Sequence, residues 1–143
     1  MALILDTGVL LAAFNTADPD HADCADLIRA TALAREPMIV ATTVLVELGY
    51  WVSEILDRLT WTTFVSDLAA GAYRYELVTV ADLARAADLD AQYAALNLGL
   101  VDSTLIALCE RLGEDRLATL NLRDFRAVTP RHCSYLRLLP ADG

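Results

Sequence analysis

Asp6, Glu47, Asp102 and Asp124 are carboxylates placed where a chain normally buries hydrocarbon. Asp6 closes the apolar run Ala2-Leu3-Ile4-Leu5 and is followed by Thr7-Gly8. Glu47 interrupts Val44-Leu45-Val46 and Leu48, while Asp102 follows Leu98-Gly99-Leu100-Val101 and opens Ser103-Thr104-Leu105-Ile106-Ala107. Asp124 ends the segment Leu117-Ala118-Thr119-Leu120-Asn121-Leu122-Arg123 and precedes Phe125. A buried carboxylate is costly unless it is paired or bound to a metal. Two of them about 5 Å apart repel by roughly 3 kcal/mol at an effective dielectric of 20. Three or four at one place therefore call for a divalent cation. All-oxygen ligation suits Mg²⁺ or Mn²⁺ rather than zinc. A water made acidic by such an ion, and oriented by a spare carboxylate, can attack phosphorus in line. His21 and His132 lie in polar segments away from these acids, which argues against a histidine-based nuclease or a zinc hydrolase.

Each acid also has an ordinary structural reading. Asp6 and Asp102 are suited to capping the helices that follow them. Glu47 could face solvent on a helix, although Val46 and Leu48 beside it speak for partial burial. Asp124 could be a solvated residue of a Leu-Arg-Asp-Phe turn. The case for chemistry rests on the set, not on any one member.

The elements that must position these acids follow from the apolar pattern. Ala2–Leu5 reads as a strand, and Thr7–Phe14 as a short helix. A helix opens at Asp18-Pro19-Asp20, with proline in its first turn, and runs to about Arg35. Met38–Ala41 is a second buried strand, followed by a helix in which Val44, Leu48, Trp51, Val52 and Ile55 recur at helical spacing. A helix spans Trp61–Ala70 and stops at Gly71, Tyr75–Val80 is a third strand, and Ala81–Leu96 another helix. After a break at Asn97-Leu98-Gly99 comes the helix carrying Asp102, ended by Gly113. Arg116–Thr119 and Tyr135–Leu139 complete the set as a fourth and fifth strand. Short apolar strands alternating with helices specify a parallel α/β sheet covered on both faces. Ligands gather at the carboxyl ends of such strands, near the switch point in strand order. That places Asp6, Glu47 and the Thr119–Asn121–Asp124 segment at one edge. Asp102 joins them if its helix turns back towards the fourth strand.

Composition sets the outer limits. The 143 residues are 56% hydrophobic with positive mean hydropathy, as expected of a single domain, 1–143, with a well-filled core. No apolar run reaches the ~18 residues of a membrane span. No basic residue precedes Asp6, which breaks the N-terminal apolar stretch, so a signal peptide is not expected. Cys24, Cys109 and Cys133 are odd in number, far apart and without a CxxC, and read as reduced thiols in a cytoplasmic protein. Net charge is −9, and all 11 basic residues are arginine. So acidic a chain would normally argue against nucleic acid, because phosphate contacts drive that binding. Arg123, Arg126, Arg131 and Arg137 crowd near Asp124 in sequence, either as a local basic rim or as scattered solvated charges.

Taken together, Ile4-Leu5-Asp6-Thr7-Gly8-Val9-Leu10, Glu47 after the second strand, Gly99–Ala107 around Asp102, and Ala118–Phe125 resemble the PIN domain. More narrowly, the chain is similar to the VapC-type toxin ribonucleases of bacterial toxin–antitoxin pairs. The resemblance covers nearly the whole chain. It implies a PIN-like three-layer sandwich with a five-stranded parallel sheet in the order 3-2-1-4-5. It also implies Mg²⁺- or Mn²⁺-dependent endonucleolytic cleavage of RNA, homodimerisation, and neutralisation by a small cognate antitoxin. Asp6 and Asp102 match the acids that hold the metal most directly. Glu47 matches a third acid that helps bind it or orients the attacking water, and Thr119 the polar residue after the fourth strand. Many relatives carry Asp two residues beyond that threonine, where this chain has Asn121, with Asp124 three further on. The fourth position thus falls to Asn121, Asp124 or both.

Other readings meet the same residues. A receiver domain needs a lysine near its last strand, and this chain has none. A haloacid-dehalogenase-type phosphatase needs Asp-x-Asp after the first strand, where Gly8 stands, and Asp6-Thr7-Gly8-Val9 is not a dinucleotide-binding turn. A PIN nuclease of RNA processing without an antitoxin, or a non-catalytic PIN domain binding RNA or protein, remain the alternatives. Loss of ligand acids would mark the latter, and they are retained. An acidic pocket suits a basic antitoxin side chain as a plug near Asp6, Glu47 or Asp102. The stripe Leu48, Trp51, Val52 and Ile55 serves either as a dimer face or as core.

Overall fold

The computed structural model describes residues 1–143. Its centre is three apolar strands, β1 (Leu3–Leu5), β2 (Met38–Ala41) and β4 (Arg116–Ala118). Leu3, Ile4, Leu5, Ile39, Val40, Ala41, Leu117 and Ala118 are fully buried. Burial on both faces is why these strands read as continuous apolar runs and not as alternating ones. β3 (Arg74–Glu76) and β5 (Arg137–Leu139) form the edges, each short and each opening with an exposed arginine, which discourages pairing with another sheet. All neighbours are parallel and the order is β3-β2-β1-β4-β5, as the sequence led us to expect.

The chain steps outward from β1 through β2 to β3, then jumps to β4 and moves the other way. Right-handed crossovers put the helices of the two directions on opposite faces. α1 (Thr7–Phe14), α2 (His21–Leu33), α3 (Thr42–Ile55) and α4 (Arg58–Ala69) belong to the outward steps. α5 (Val80–Gln92), a 3₁₀ turn (Ala94–Leu96), α6 (Gly99–Leu112) and α7 (Leu122–Ala127) belong to the return. The order reverses between β1 and β4, so the switch point lies at their carboxyl ends, where Asp6 and Thr119 follow.

Several boundaries differ from the sequence expectation for local reasons. The third strand stops at Glu76 instead of Val80, because Thr79 and Asp82 close a capping box: the Thr79 hydroxyl accepts from Asp82 N (3.1 Å) and Asp82 Oδ2 from Thr79 N (2.9 Å). α4 begins earlier than Trp61, since Asp57 Oδ1 accepts from Thr60 N at 2.7 Å. α2 begins only at His21, with Asp18 tied instead into a turn through Asp20 N (2.8 Å). The segment around Asp124 is the short helix α7, which hydrophobic periodicity over so few residues does not mark.

Arg111 ties α6 to both α5 and β3, beside the Arg85–Glu110 pair that also joins α5 to α6. Arg111 donates from Nε and Nη2 to the carboxylate of Asp82 (3.0 and 3.1 Å), from Nη1 to Glu76 (3.1 Å) and from Nη2 to the Leu77 carbonyl (3.1 Å). Asp82 is only 3% exposed. Arg111→Ala leaves that carboxylate buried without its counter-charge, at an expected cost of about 3 kcal/mol. Thermal melting should therefore fall by roughly 10 °C. An unchanged melting temperature would show that water already screens the pair.

Candidate functional site

Asp6 ends β1 and caps α1. Its Oδ1 accepts from Thr7 N at 2.8 Å and its Oδ2 from the Thr119 hydroxyl at 2.7 Å. The second bond spans the switch point, and Asp6 N donating to the Ala118 carbonyl (2.9 Å) fixes the same junction. The capping role and the cluster role thus coexist in one residue. Thr119 is fully buried, and its oxygen also accepts from Asn121 N at 3.1 Å, so the turn leaving β4 is anchored to Asp6.

Asp102 reaches the same edge because of how α6 begins. Gly99, at φ +77, turns the chain into the helix, and the Thr104 and Thr43 hydroxyls meet at 2.9 Å, binding the start of α6 to the start of α3. Asp102 does not cap α6. The cap position is Leu98, and Asp102 sits within the first turn, where the helix dipole favours a negative charge. Glu47, one turn along α3, is half-buried.

Asn121 joins the remaining members. Its Nδ2 donates to Asp102 Oδ2 and to Asp124 Oδ2, both at 3.0 Å. An aspartate at this position would bring a third charge and no donor, so the amide is what lets the two carboxylates lie on one group. The four acids, Thr119 and Asn121 singled out in the sequence therefore converge on one edge. Of the four C-terminal arginines, Arg123 alone pairs with a cluster acid, 3.9 Å from Asp124. Arg126 is engaged by Asp142 at 2.8 Å, Arg137 donates to the Asp142 carbonyl at 3.3 Å, and Arg131 lies beside Glu110, so of these four only Arg123 borders the cluster.

The electrostatics record the crowding. Burial, then the charges of Asp6, Asp124 and Glu47, push the Asp102 carboxyl up to about 7, against the lowering hydrogen bond from Asn121. Asp6 is also raised, first by burial and further by Glu47, although the Thr119 and Thr7 bonds oppose it. These are carboxylates waiting for positive charge. No three Asp, Glu, His or Cys side chains close into a ready-made cage. Mg²⁺ and Mn²⁺ do not need one, since such ions bind through one or two carboxylates and keep several waters. The donors here are all oxygen. Cys24 and Cys109 are core residues, His21 Nδ1 is bonded to the Ala12 carbonyl (2.9 Å) and His132 Nε2 to that of Glu114 (2.8 Å). The residues fit a hard divalent cation.

Sequence reasoning did not single out the Thr43–Thr104 clasp or Thr7, whose buried hydroxyl has no hydrogen-bond partner. It also missed two flanking grooves. One, of about 590 Å³, runs from Thr119 past Asp20, at the cap of α2, and Asp23 and Asp26 within it. The other, of about 460 Å³, starts at Glu47 and is walled by apolar side chains of α3 and α6.

Known proteins share both the sequence and the arrangement. The model of the PIN domain matches residues 3–129. Ribonuclease VapC26 of Mycobacterium tuberculosis is 30% identical over 128 residues, covering 90% of this chain and 93% of that protein. Among solved structures, M. tuberculosis VapC20, described as a sarcin–ricin-loop-cleaving toxin, superposes with a TM-score of 0.74 at 17% identity, covering 85% of this chain and 92% of that one. VapBC2 from Rickettsia felis, solved with a DNA fragment from its promoter, gives 0.68 at 15% identity, covering 90% and 93%. With a matching family model over most of its length and acids gathered at the switch point of a 3-2-1-4-5 sheet, this chain belongs to the PIN domain family.

Proposed function

We propose that this chain is a divalent-metal-dependent endoribonuclease and the toxin of a bacterial toxin–antitoxin pair, acting in the cytoplasm. The observation that carries the reading is the gathering of Asp6 and Asp102 at the switch point, Asp6 raised by burial and by Glu47, Asp102 by burial and by the charges of Asp6, Asp124 and Glu47. The names of the related proteins, a ribonuclease and a toxin that cleaves an RNA loop, support the same chemistry. All 143 residues are read as one domain, since β5 lies beyond the matched segment yet completes the same sheet.

In this reading Asp6 and Asp102 would hold Mg²⁺ or Mn²⁺. When bound, the cation supplies charge neutralisation at the phosphate and a more acidic water. Glu47, half-buried beside these acids, would be the carboxylate placed to orient a water and take up a proton. Thr119 fixes the orientation of Asp6 through their hydrogen bond, and Asn121 fixes Asp102 and Asp124. Asp124 is the outer acid of the set, steadied on its far side by Arg123.

The partner side follows from charge. The wall of Asp20, Asp23 and Asp26 beside Thr119 repels a phosphate backbone and suits a basic segment of a small cognate antitoxin, whose arginine or lysine would reach the cluster. The homodimer expected of the family cannot use Leu48 and Val52 of the α3 stripe, which are core residues, whereas Trp51 and Ile55 are exposed. No helix is long and apolar enough to cross a membrane.

The test is incubation of the chain with a mixed RNA pool. Discrete new ends are expected with Mg²⁺ or Mn²⁺ and none in EDTA. Equal cleavage in EDTA would exclude the metal-dependent mechanism, and no cleavage with any divalent ion would favour a binding PIN domain.

A further inference from the structure

Arg123 is the one arginine paired with an acid of the cluster, and it holds that acid loosely. Its Nε lies 3.9 Å from Asp124 Oδ1, beyond hydrogen-bond range, and its side chain is 84% exposed. Asp124 does not depend on it, because Oδ2 already accepts from Asn121 at 3.0 Å. Other arginines of the chain are engaged in tight pairs, Arg85 with Glu110 at 2.7 Å, Arg111 with Asp82 at 3.0 Å and Arg126 with Asp142 at 2.8 Å. Nor does α7 gain from a cation at 123. The position lies in its first turn, where the helix dipole disfavours positive charge, and adjacent residues of a helix do not face each other as a supporting ion pair. Neither the fold nor the cluster accounts for this guanidinium.

The surroundings of the cluster are otherwise hostile to a phosphate. On one flank the groove from Thr119 is walled by Asp20, Asp23 and Asp26, and on the other the groove from Glu47 is apolar. A polyanion reaching the acids of a chain of net charge −9 needs a cation where it passes. The start of α7 supplies one, and the planar fork of a guanidinium matches the two outer oxygens of a phosphodiester. Arg123 borders Asp124 and not Asp6 or Asp102, which sets it beside the metal-holding pair and not upon it. We propose that Arg123 binds the phosphate next to the scissile one, exchanging Asp124 for its non-bridging oxygens as the RNA enters, so that the strand passes over the start of α7 and away from α2. The inference rests on the ribonuclease reading.

Two measurements on the full chain test it: steady-state cleavage in Mg²⁺ of an oligonucleotide spanning a site mapped in the RNA pool, and fluorescence anisotropy of a labelled unstructured oligonucleotide in EDTA over a series of salt concentrations. Arg123→Gln should raise KM about tenfold with kcat within about twofold, as for one charge-assisted contact made equally in ground and transition states. It should also flatten the slope of log affinity against log salt by about 0.7, one single-strand phosphate contact, and leave the melting temperature unchanged. Arg123→Lys keeps the charge without the fork, so it should restore the slope and only part of KM. A neutral methylphosphonate, placed in turn at the phosphate on either side of the cleaved bond, gives the sharpest comparison. On one side it should raise KM of the wild type about tenfold and leave Arg123→Gln indifferent. A variant as sensitive as wild type on both sides overturns the proposal. So does a fall in kcat at constant KM, which would set Arg123 on the scissile phosphate or behind Asp124. Metal-dependent cleavage with KM and slope unmoved in Arg123→Gln defeats the contact and spares the ribonuclease. If no divalent ion yields cleavage, a variant whose RNA affinity and salt slope both fall keeps the contact while the ribonuclease fails, and an unchanged slope, or no binding at all, defeats both.

Discussion

Asp6→Asn and Asp102→Asn should each reduce RNA cleavage in saturating Mg²⁺ or Mn²⁺ by about a thousandfold, the upper range for losing a preorganised electrostatic group. Both variants should fold. At position 6 the amide oxygen can still accept the α1 capping bond from Thr7 N, and its nitrogen can donate to the Thr119 oxygen. At position 102 the amide oxygen can still accept from Asn121. What is lost is ligand charge at the point where Asp6, Glu47 and Asp124 all raise Asp102. Glu47→Gln, which removes a proton acceptor and leaves both principal ligands, should cost less, roughly a hundredfold. Initial rates of a labelled oligonucleotide, with circular dichroism as the control for folding, measure this. Either aspartate variant retaining a tenth of wild-type activity would remove it from the metal site.

The second large effect is on stability without metal. Asp102 has its carboxyl raised from the ordinary 3.8 to about 7, so between these values the folded chain binds more protons than the unfolded one. Stability from this group is then fully present below about 3.8 and is lost progressively as pH rises to about 7. Asn at 102 mimics the protonated acid and escapes that loss. In EDTA, Asp102→Asn should melt close to wild type below about pH 4, pull ahead progressively as pH rises from there to about 7, and keep a constant lead above that. Saturating Mn²⁺ reverses the order. A cation at about a hundred times its Kd stabilises the wild type by about 2.7 kcal/mol, roughly 8 °C for a chain of this size. The variant should gain much less. A gap that does not change with pH, or an equal gain from Mn²⁺ in both proteins, would show that Asp102 neither titrates in the cluster nor holds the ion.

The sequence by itself determined the sheet and the identity of the acids. Leu3-Ile4-Leu5, Met38–Ala41 and Leu117-Ala118 are too short and too apolar to be anything but strands buried on both faces, and helical stretches between them force parallel crossovers. A carboxylate ending such a strand is legible because burial makes it expensive. Only the tertiary structure decided how the acids meet. Asp102 precedes β4 by a whole helix, and it reaches the edge through the Gly99 turn and the Thr43–Thr104 contact, a pairing 61 residues apart that no local pattern encodes. Asn121 looked like a replaced acid, and the fold makes it a donor bridging Asp102 and Asp124. The stripe on α3 was ambiguous because helical spacing fixes a face but not what lies against it. Packing placed Leu48 and Val52 in the core and left Trp51 and Ile55 in solvent. Backbone pattern is a local property, read residue by residue; the partners of a side chain are set by every element that closes around it.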